Sequence, residues 1–364
     1  MRKVIFYIDN MNRGGAQRVM TNLCEYYAEK GVQVLLVNDY PSDGKRPTYE
    51  LSESVNRIYL QPGYVRNPIS NNIKRVFALR KILKNEKPDL AMSFLGGPNI
   101  RLLLGAMGLK QKVTVSVRND PTREYAASGI KKLLARKIFE RADGCVFQTE
   151  EAKSYFTERV QSKSAVIFNP VDDKFYSVSR NPQPGEIVTA GRMNEQKRQD
   201  LLVDAFKLLA ETNPEAKLII YGDGPLRENL SERIRSLGLN SRVSLPGNVS
   251  NVEDALNTAS LFVLPSDYEG MPNALMEAMA VGVPCISTDC PCGGPKVLDG
   301  HTGAIKLVKC GGTEELYQAM LEILENKVLS SEMSKKAKKR AELFKPEVVY
   351  AEWETYLTAV AGDR

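Results

Sequence analysis

Residues 266–284 read Ser-Asp-Tyr-Glu-Gly-Met-Pro-Asn-Ala-Leu-Met-Glu-Ala-Met-Ala-Val-Gly-Val-Pro, with glutamates at positions 269 and 277. An apolar run at 260–265 leads into this segment and predicts a strand. The first acid, Glu269, therefore falls in the loop after the strand, and the second, Glu277, falls in the helix that follows. Because open α/β sheets bind ligands beyond the carboxyl ends of their strands, we expect both acids to belong to one binding site.

The turn between the two glutamates has the features of an anion-binding helix start. Gly270 permits unusual backbone angles, Pro272 suits a first helical position, and the amides near Asn273 and Ala274 would point at an anion. About two turns into the helix, Glu277 could accept hydrogen bonds from a vicinal diol such as a ribose, and the loop glutamate suits the hydroxyls of a sugar. A helix-start charge or a solvated face is the ordinary alternative, but an unpaired carboxylate is costly in so apolar a segment.

Strand and helix patterns alternate along all 364 residues. Short apolar runs predict strands at 4–8, 32–37, 90–94, 113–117 and 145–148, and then at 187–190, 217–221, 243–245, 261–264 and 284–287. Such alternation is typical of parallel sheets with covered faces, and the length suits two domains. We therefore expect an α/β protein divided in the turn-rich stretch 168–173.

Residues 346–360 form an amphipathic pattern at the end of the chain. Val349, Trp353, Tyr356, Leu357 and Val360 fall on one side of a helix, with a proline near its start. This helix must pack its apolar side on another part of the protein.

A second phosphate-binding candidate follows the first strand. Gly14 and Gly15 lie at a strand-to-helix turn, where glycines let the backbone approach a ligand and the helix start favours a phosphate. The turn matches neither the Gly-x-x-x-x-Gly-Lys-Ser/Thr nor the Gly-x-Gly-x-x-Gly pattern. A tight turn with nothing bound is an equally good interpretation of this element alone.

The strand at 187–190 ends in a loop that carries two cations. Arg192 and Lys197 could both reach a diphosphate, the arginine through its forked donors and the lysine as a mobile point charge. Surface charge is the alternative, but their position at a strand end favours function. The loops containing 222–225 and 246–249 follow the next two strands and could line a base or sugar pocket, although each alone is only a turn.

The charge is unevenly distributed. The formal net charge is +6, and residues 1–180 hold 30 Lys and Arg against 18 Asp and Glu. This excess indicates an anionic partner for the first half, such as a membrane surface or a phosphorylated acceptor, although ordinary surface charge explains it equally well. The lysine-rich run 334–340 is interpreted as a solvated helix face, so we expect no nucleic-acid partner.

Six cysteines are scattered through a chain that starts with no secretory signal, which favours a reducing cytosol over a disulfide framework. Cys290 and Cys292 form a lone Cys-Pro-Cys, and the single histidine, His301, is expected to be a loop residue. Because no second ligand pair has zinc spacing, we expect no metal site. The most apolar stretch, 91–109, is interrupted by a proline and an arginine, so no membrane span is predicted.

Residues 130–141 combine apolar and basic side chains at helical spacing. Ile130, Leu133, Leu134 and Ile138 alternate with lysines and arginines, which suits an interfacial helix on an anionic lipid surface. A core helix with a solvated basic face is an equally good interpretation. A peripheral membrane contact therefore stays open at this point.

Taken together, several of these segments resemble one family. Gly-Gly-Ala-Gln-Arg at 14–18, Asn-Pro-Val-Asp at 169–172, Gly191-Arg192 with Lys197, Gly-Asp-Gly-Pro at 222–225 and the paired glutamates followed by Gly-Val-Pro at 282–284 are similar to the family 4 retaining glycosyltransferases. The resemblance runs over the whole chain in the right order, and within the family it is nearest to bacterial enzymes that extend lipid-linked or surface polysaccharides.

The resemblance implies the GT-B fold, with two facing Rossmann-like domains. Residues 1–170 would bind the acceptor, residues 171–345 would bind the nucleotide sugar, and 346–364 would be a helix that packs back on the N-terminal domain.

The resemblance also assigns roles to particular positions. Arg192 and Lys197 would form a diphosphate clamp, Gly15 a backbone donor to phosphate, Glu277 the ribose ligand and Glu269 a donor-sugar contact. The other donor-binding positions implied are Gly14, Gly191, Gly222, Gly224, Asn248, Val249, Gly270, Met271, Pro272, Asn273, Ala274 and Leu275. The positions implied for acceptor or sugar contact are Arg18, Arg118, Asn119 and Asp120.

One position departs from the family pattern. Many relatives carry a histidine after the strand at 113–117, whereas this chain has Arg118, which stays protonated and cannot act as a base. Its position suggests contact with the donor sugar or an acceptor phosphate.

The function implied is retaining transfer of a hexose or N-acetylhexosamine from a nucleotide-diphosphate sugar, with UDP favoured over GDP, to a hydroxyl of a glycan or lipid-diphosphate-linked acceptor. Neither a metal nor another cofactor is expected, and the expected location is cytoplasmic, with room for contact with an anionic membrane. The alternatives are a nucleotide-sugar epimerase, for which no acid/base set can be located, and a non-catalytic nucleotide-sugar-binding protein.

Overall fold

The computed structural model describes residues 1–12, 14–41, 48–61, 68–249 and 251–362, so the last two residues of the predicted C-terminal segment lie outside it. The chain divides into two compact units. Unit 1 is Met1–Asn169 together with the C-terminal helix, and unit 2 is Pro170–Pro346.

Unit 1 contains a parallel sheet of seven strands in the order β3-β2-β1-β4-β5-β6-β7. Its strands are β1 Lys3–Ile8, β2 Gln33–Asn38, β3 Asn56–Tyr59, β4 Leu90–Phe94, β5 Lys112–Ser116, β6 Gly144–Phe147 and β7 Ser164–Val166. Its helices before the linker are α1 Gly15–Glu29, α2 Pro68–Glu86, α3 Gly96–Gly105, α4 Pro121–Glu124, α5 Gly129–Phe139, α6 Glu150–Ser154 and α7 Glu158–Gln161.

Unit 2 contains a parallel sheet of six strands in the order β10-β9-β8-β11-β12-β13. Its strands are β8 Glu186–Ala190, β9 Lys217–Tyr221, β10 Val243–Gly247, β11 Leu261–Leu264, β12 Cys285–Thr288 and β13 Ile305–Val308. Its helices are α8 Gln199–Thr212, α9 Arg227–Ser236, α10 Val252–Thr258, α11 Asn273–Val281, α12 Gly294–Asp299, α13 Thr313–Glu325 and α14 Lys327–Ala341. The last helix of the chain is α15, Pro346–Ala361.

Both sheets are Rossmann-like, so the expected α/β class is confirmed. Central strands such as β4 and β11 are buried along their whole length, because helices cover both faces of the sheet. In each sheet the strand order reverses beside the first strand, between β1 and β4 and between β8 and β11. Such a reversal is the topological switch point, where ligands of open α/β sheets bind.

The C-terminal helix completes the core of unit 1. Its buried Trp353 and Leu357 share one apolar cluster with Val19 and Leu23 of α1, and the Trp353 ring stacks on Phe94 with centroids 6.0 Å apart. Helices α1 and α15 therefore cover the same face of this sheet.

Candidate active site

Three loops at the carboxyl edge of the unit 2 sheet are joined through their backbones. The Gly191 amide donates to the Tyr221 carbonyl at 3.0 Å, and the Gly222 amide donates to the Gly247 carbonyl at 2.8 Å. The loops after β8, β9 and β10 therefore form one continuous rim, which brings together the predicted positions Gly191, Gly222 and Asn248.

Glycine is required at two points of this rim. Gly222 has φ of +118°, and a Cβ atom there would lie 2.0 Å from the Gly191 carbonyl oxygen. A Cβ at Gly224 would lie 2.3 Å from the Met193 carbonyl oxygen. Backbone-to-backbone contact of this kind cannot be relieved by moving a side chain, so the Gly-Asp-Gly-Pro turn is fixed by packing.

An ion pair crosses the switch point of unit 2. Lys197 Nζ lies 2.5 Å from Glu269 Oε1, and the Ser266 hydroxyl donates to the same oxygen at 2.6 Å. Both charged side chains are largely buried, with exposed fractions of 19% and 7%. The family resemblance assigned the lysine and the glutamate separate roles, and the structure joins them in one ion pair that links the loop after β8 to the loop after β11.

Backbone contacts hold this pair in place. Lys197 ends a 3₁₀ turn, Glu195–Lys197, whose start is capped by the Asn194 side chain. The Gln196 side chain donates to the Tyr268 carbonyl at 2.8 Å, and the Asp267 amide donates to the Gln196 carbonyl at 2.9 Å. The two loops are thus fastened to each other next to the ion pair, through Gln196.

Arg192 differs from Lys197 in its surroundings. It is exposed, and its guanidinium makes no hydrogen bond or ion pair within the described residues. An arginine in this position is available to an anionic ligand without giving up an existing contact.

The turn before α11 differs in detail from the sequence prediction. Helix α11 begins at Asn273, so Pro272 is its N-cap residue and not its first helical residue. Glu277 is consequently the fifth residue of the helix, little more than one turn from its start, and the expectation of two turns was wrong. Glu277 is buried, with 4% of its surface exposed.

Not every predicted position on this turn exposes its side chain to solvent. Leu275 is fully buried, and its amide donates to the Pro272 carbonyl at 3.1 Å. Met271 is 6% exposed. Asn273 and Ala274 keep partly exposed surface, as do Asn248 and Val249 on the rim. The side chains that this helix start exposes to solvent are therefore those of its first two residues.

Some residues of the site were not identified from the sequence. A Cβ at Gly294 would lie 1.9 Å from the Gly270 carbonyl oxygen, so the loop after β12 packs directly on the loop that carries Glu269. Ser266 is the other such residue. The second glycine of Gly-Gly-Pro at 293–295 was the available signal for the first contact, and no signal marked the serine.

In unit 1 the predicted phosphate turn lies at the start of α1. Gly14 is the N-cap residue in an extended conformation, and Gly15 begins the helix. The first turn contains no acidic residue, and Arg18 in it is half-buried. The amides of a first helical turn have no intrahelical partners, so the turn retains its predicted capacity for an anion.

Arg118 lies inside unit 1, where it is 8% exposed. Its guanidinium donates to Asn169 and to the Ser116 hydroxyl, and it lies 4.7 Å from the centroid of the Phe94 ring. Burial lowers the pKa of Arg118 to about 9, so the side chain stays charged at neutral pH. These contacts position the loop after β5, and a substrate contact of Arg118 stays a prediction.

The two residues after Arg118 have different surroundings. Asn119 is half-buried. Asp120 is the N-cap of α4, and its Oδ1 accepts from the amide and the hydroxyl of Thr122 at 2.8 and 2.7 Å. With 6% of its surface exposed, Asp120 is engaged in local structure.

Replacing Glu124 with glutamine should make stability less dependent on pH between about 4.5 and 7. Burial raises the pKa of Glu124 from 4.5 to about 7, so the folded protein holds a proton that the unfolded chain releases. This contribution to the free energy of unfolding, up to about 3 kcal/mol, is fully present below pH 4.5 and is lost as the pH rises through 7.

Urea unfolding across this pH range measures the effect of Glu124→Gln. The matched control is Glu158→Gln, at an exposed position of α7, which should follow the wild-type pH dependence. Parallel pH profiles for Glu124→Gln and wild type would contradict the assignment.

Among the described residues, no group of three or more His, Cys, Asp and Glu side chains could hold a metal ion. No helix in the described part of the chain has both the length and the apolar character needed to cross a membrane. His301 is exposed in a turn, as expected.

Two family models match this chain. The model described as glycosyl transferases group 1 matches residues 171–340, and the model described as Glycosyltransferase Family 4 matches residues 13–175. The first match lies within unit 2, the second covers most of unit 1, and together they span the predicted site positions. The chain therefore belongs to the glycosyltransferases that these two models describe.

Relatives and solved structures agree with this family. An uncharacterized glycosyltransferase of Methanocaldococcus jannaschii is 32% identical over 250 residues, which are 62% of each chain. A Campylobacter jejuni protein is 27% identical over 360 residues, 97% of each chain, and is named GalNAc-alpha-(1->4)-GalNAc-alpha-(1->3)-diNAcBac-PP-undecaprenol alpha-1,4-N-acetyl-D-galactosaminyltransferase. The structure of Anabaena HepE in complex with UDP and glucose has a TM-score of 0.80 at 18% identity, over 99% of this chain and 100% of that one. This likeness confirms the GT-B fold.

Proposed function

We propose that this glycosyltransferase moves a hexose or N-acetylhexosamine from a nucleotide-diphosphate sugar to a hydroxyl of a lipid-linked or surface glycan, with retention of the anomeric configuration. The observation that carries the proposal is the Lys197–Glu269 pair at the switch point of unit 2, next to the unengaged Arg192. A cation that can bind a diphosphate and an acid that can bind sugar hydroxyls are held there within one hydrogen-bonded unit.

The chemistry places the developing charge on the leaving diphosphate. In the proposed step the bond from the anomeric carbon to the diphosphate oxygen breaks, and the acceptor oxygen forms its bond to that carbon on the same face. The proton of the acceptor hydroxyl passes to the departing diphosphate oxygen, so the products are the glycoside and the nucleoside diphosphate. No protein nucleophile is needed, and the residues act by orientation and by stabilising charge.

Arg192 and Lys197 supply that stabilisation in this proposal. Lys197 has its position fixed by Glu269 before any ligand binds, which avoids the cost of ordering it during the reaction. Because two cations face one diphosphate, we propose that turnover does not require a divalent metal. The first-turn amides of α11 and Glu277 would hold the rest of the nucleotide.

The choice of substrates rests on the similar proteins. HepE was solved with UDP and glucose, and the Campylobacter relative is named for transfer to an undecaprenol-linked glycan. We therefore propose a UDP-linked donor and a lipid-diphosphate-linked acceptor. The family match gives no support to the epimerase and sensor alternatives.

Turnover with a panel of UDP and GDP sugars and a lipid-diphosphate oligosaccharide acceptor tests the proposal. We expect a glycoside and UDP from at least one UDP sugar, the donor's anomeric configuration in the product by NMR, and unchanged turnover in EDTA. An inverted product would overturn the retaining mechanism, and loss of turnover in EDTA would overturn metal independence. Isomerisation of donor without acceptor, or binding without consumption, would replace transfer by one of the two alternatives.

A further inference from the structure

Three helices of unit 1 turn their outer sides to solvent. Helices α2 and α3 pack side by side, and α3 also contacts α5. Arg80 of α2 donates to the Gly105 and Met107 carbonyls at the end of α3, at 2.9 and 2.5 Å. Right-handed connections place these helices on the sheet face opposite α1 and α15. Their solvent side is called the outer face below.

The outer face carries most of the large exposed apolar side chains of the described chain. Its members are Ile73, Phe77, Leu104, Met107, Ile130, Leu133 and Leu134. These are seven of the eleven large apolar residues that are exposed in the described residues, and they lie on α2, α3, α5 and the turn after α3. Scattered exposed apolar residues are normal, but a group of this size on adjoining helices indicates an interaction surface.

Helix α5 decides between the two interpretations of residues 130–141. Its Ala135 and Phe139 face the core, whereas Ile130, Leu133 and Leu134 are 76%, 65% and 62% exposed. The interpretation of these three residues as core residues is therefore wrong. Their spacing places them together on one side of the helix, as in helices that lie in a membrane interface.

The charge of the outer face is of one sign. Helices α2, α3 and α5 contain ten Lys and Arg residues and one acid, Glu86, and that acid is paired with Lys3 at 2.5 Å. Two of the ten, Arg75 and Arg101, point inward and pair with the buried Asp39, so eight remain for the outer part of these helices. Exposed lysines such as Lys74, Lys81 and Lys131 lie on the same helices as the exposed apolar side chains. Each cation near an anionic lipid surface adds to binding, and the apolar side chains add burial in the acyl boundary.

We propose that the outer face docks the protein on an anionic lipid bilayer. A second copy of this chain is a poor occupant, because it would bring two such basic surfaces together. Nucleic acid is a poor occupant as well, because its backbone would not cover isoleucine and leucine side chains. Lipid headgroups and acyl chains match both components of the surface. The inference concerns membrane contact alone and does not depend on the proposed transfer reaction.

Vesicle sedimentation with the full chain tests this inference. Wild type should bind vesicles of phosphatidylcholine with phosphatidylglycerol, should bind pure phosphatidylcholine far more weakly, and should lose affinity as salt rises. The variant Phe77→Ser/Leu133→Ser/Leu134→Ser should bind the anionic vesicles about 10²-fold more weakly, with an unchanged melting temperature because these side chains are exposed. Lys81→Gln/Lys131→Gln should bind them about 10-fold more weakly.

Val328→Ser is the matched control, because Val328 is a 70% exposed apolar residue on a helix of unit 2. It should bind the anionic vesicles like wild type. The inference is overturned if wild type stays in the supernatant, if the triple serine variant binds like wild type, or if that variant only converts a dimer to a monomer. The assay contains neither donor nor acceptor, so its result is separate from that of the turnover experiment.

Discussion

Replacing Arg192 with alanine is expected to lower turnover by about 10²- to 10³-fold and to leave the melting temperature unchanged. The guanidinium has no protein partner to lose within the described residues, so its removal costs no stability. If it binds the leaving diphosphate, its removal takes away one donor to a charge that grows in the transition state, and such losses are of this size. Steady-state kinetics with a UDP-sugar donor and a melting curve measure both effects.

The control for Arg192 is Arg235→Ala, which changes an exposed arginine of α9 in the same unit. This variant should keep wild-type turnover. Near-normal turnover in Arg192→Ala would refute its part in the clamp.

Lys197→Ala should lower turnover as strongly and should also destabilise the protein by about 2–4 kcal/mol, because Glu269 then stays buried with only the Ser266 hydroxyl as a partner. Adding Glu269→Gln should recover much of the stability and none of the turnover. Recovery of turnover in this double variant would mean that the pair has only a structural role.

Replacing Gly222 with alanine is expected to destabilise the protein by at least about 3 kcal/mol. The new Cβ would lie 2.0 Å from the Gly191 carbonyl oxygen, and the residue would keep a φ of +118°, which residues with a side chain rarely adopt. Relief requires the loop after β9 to move away from the loop that carries Arg192 and Lys197, so turnover should fall as well. Urea unfolding and steady-state kinetics measure the two effects.

Gly238→Ala separates backbone strain from collision. Gly238 has φ of +70° and no heavy atom within 4 Å of the added Cβ, so its replacement should cost only about 1 kcal/mol. Equal costs at the two glycines would show that the close approach to Gly191 does not constrain the rim.

The sequence predicted the central strands and missed three at the edges. All ten predicted strands are present. Nine of them lie inside a sheet, where strands covered on both faces read as continuous apolar runs, and the tenth, β10, lies at an edge. The missed strands are β3, β7 and β13, which lie at sheet edges. Strand β3 has no fully buried residue and β7 is three residues long. An edge strand has one neighbour and less cover, so its sequence carries a weaker apolar signal.

The sequence located the loops of the candidate site, but it did not predict which of their side chains contact each other. Strand ends and glycine turns located the loops, because both leave a local pattern. The contact of Lys197 with Glu269 joins residues far apart in the chain, and no local pattern reports such a contact. The position of Pro272 was misjudged by one residue, because proline is accepted both at an N-cap and at a first helical position and the sequence does not separate the two.

The placement of α15 sets an order for folding during protein synthesis. The ribosome makes β1–β7 early, but Trp353 and Leu357, which fill the cluster beneath α1, come from the last helix of the chain. Until that helix emerges, apolar side chains such as Val19 and Phe94 lack their cover. The nascent chain therefore exposes this apolar surface over the interval, a condition that favours aggregation, and unit 1 reaches its final packing only after all of unit 2 has been translated.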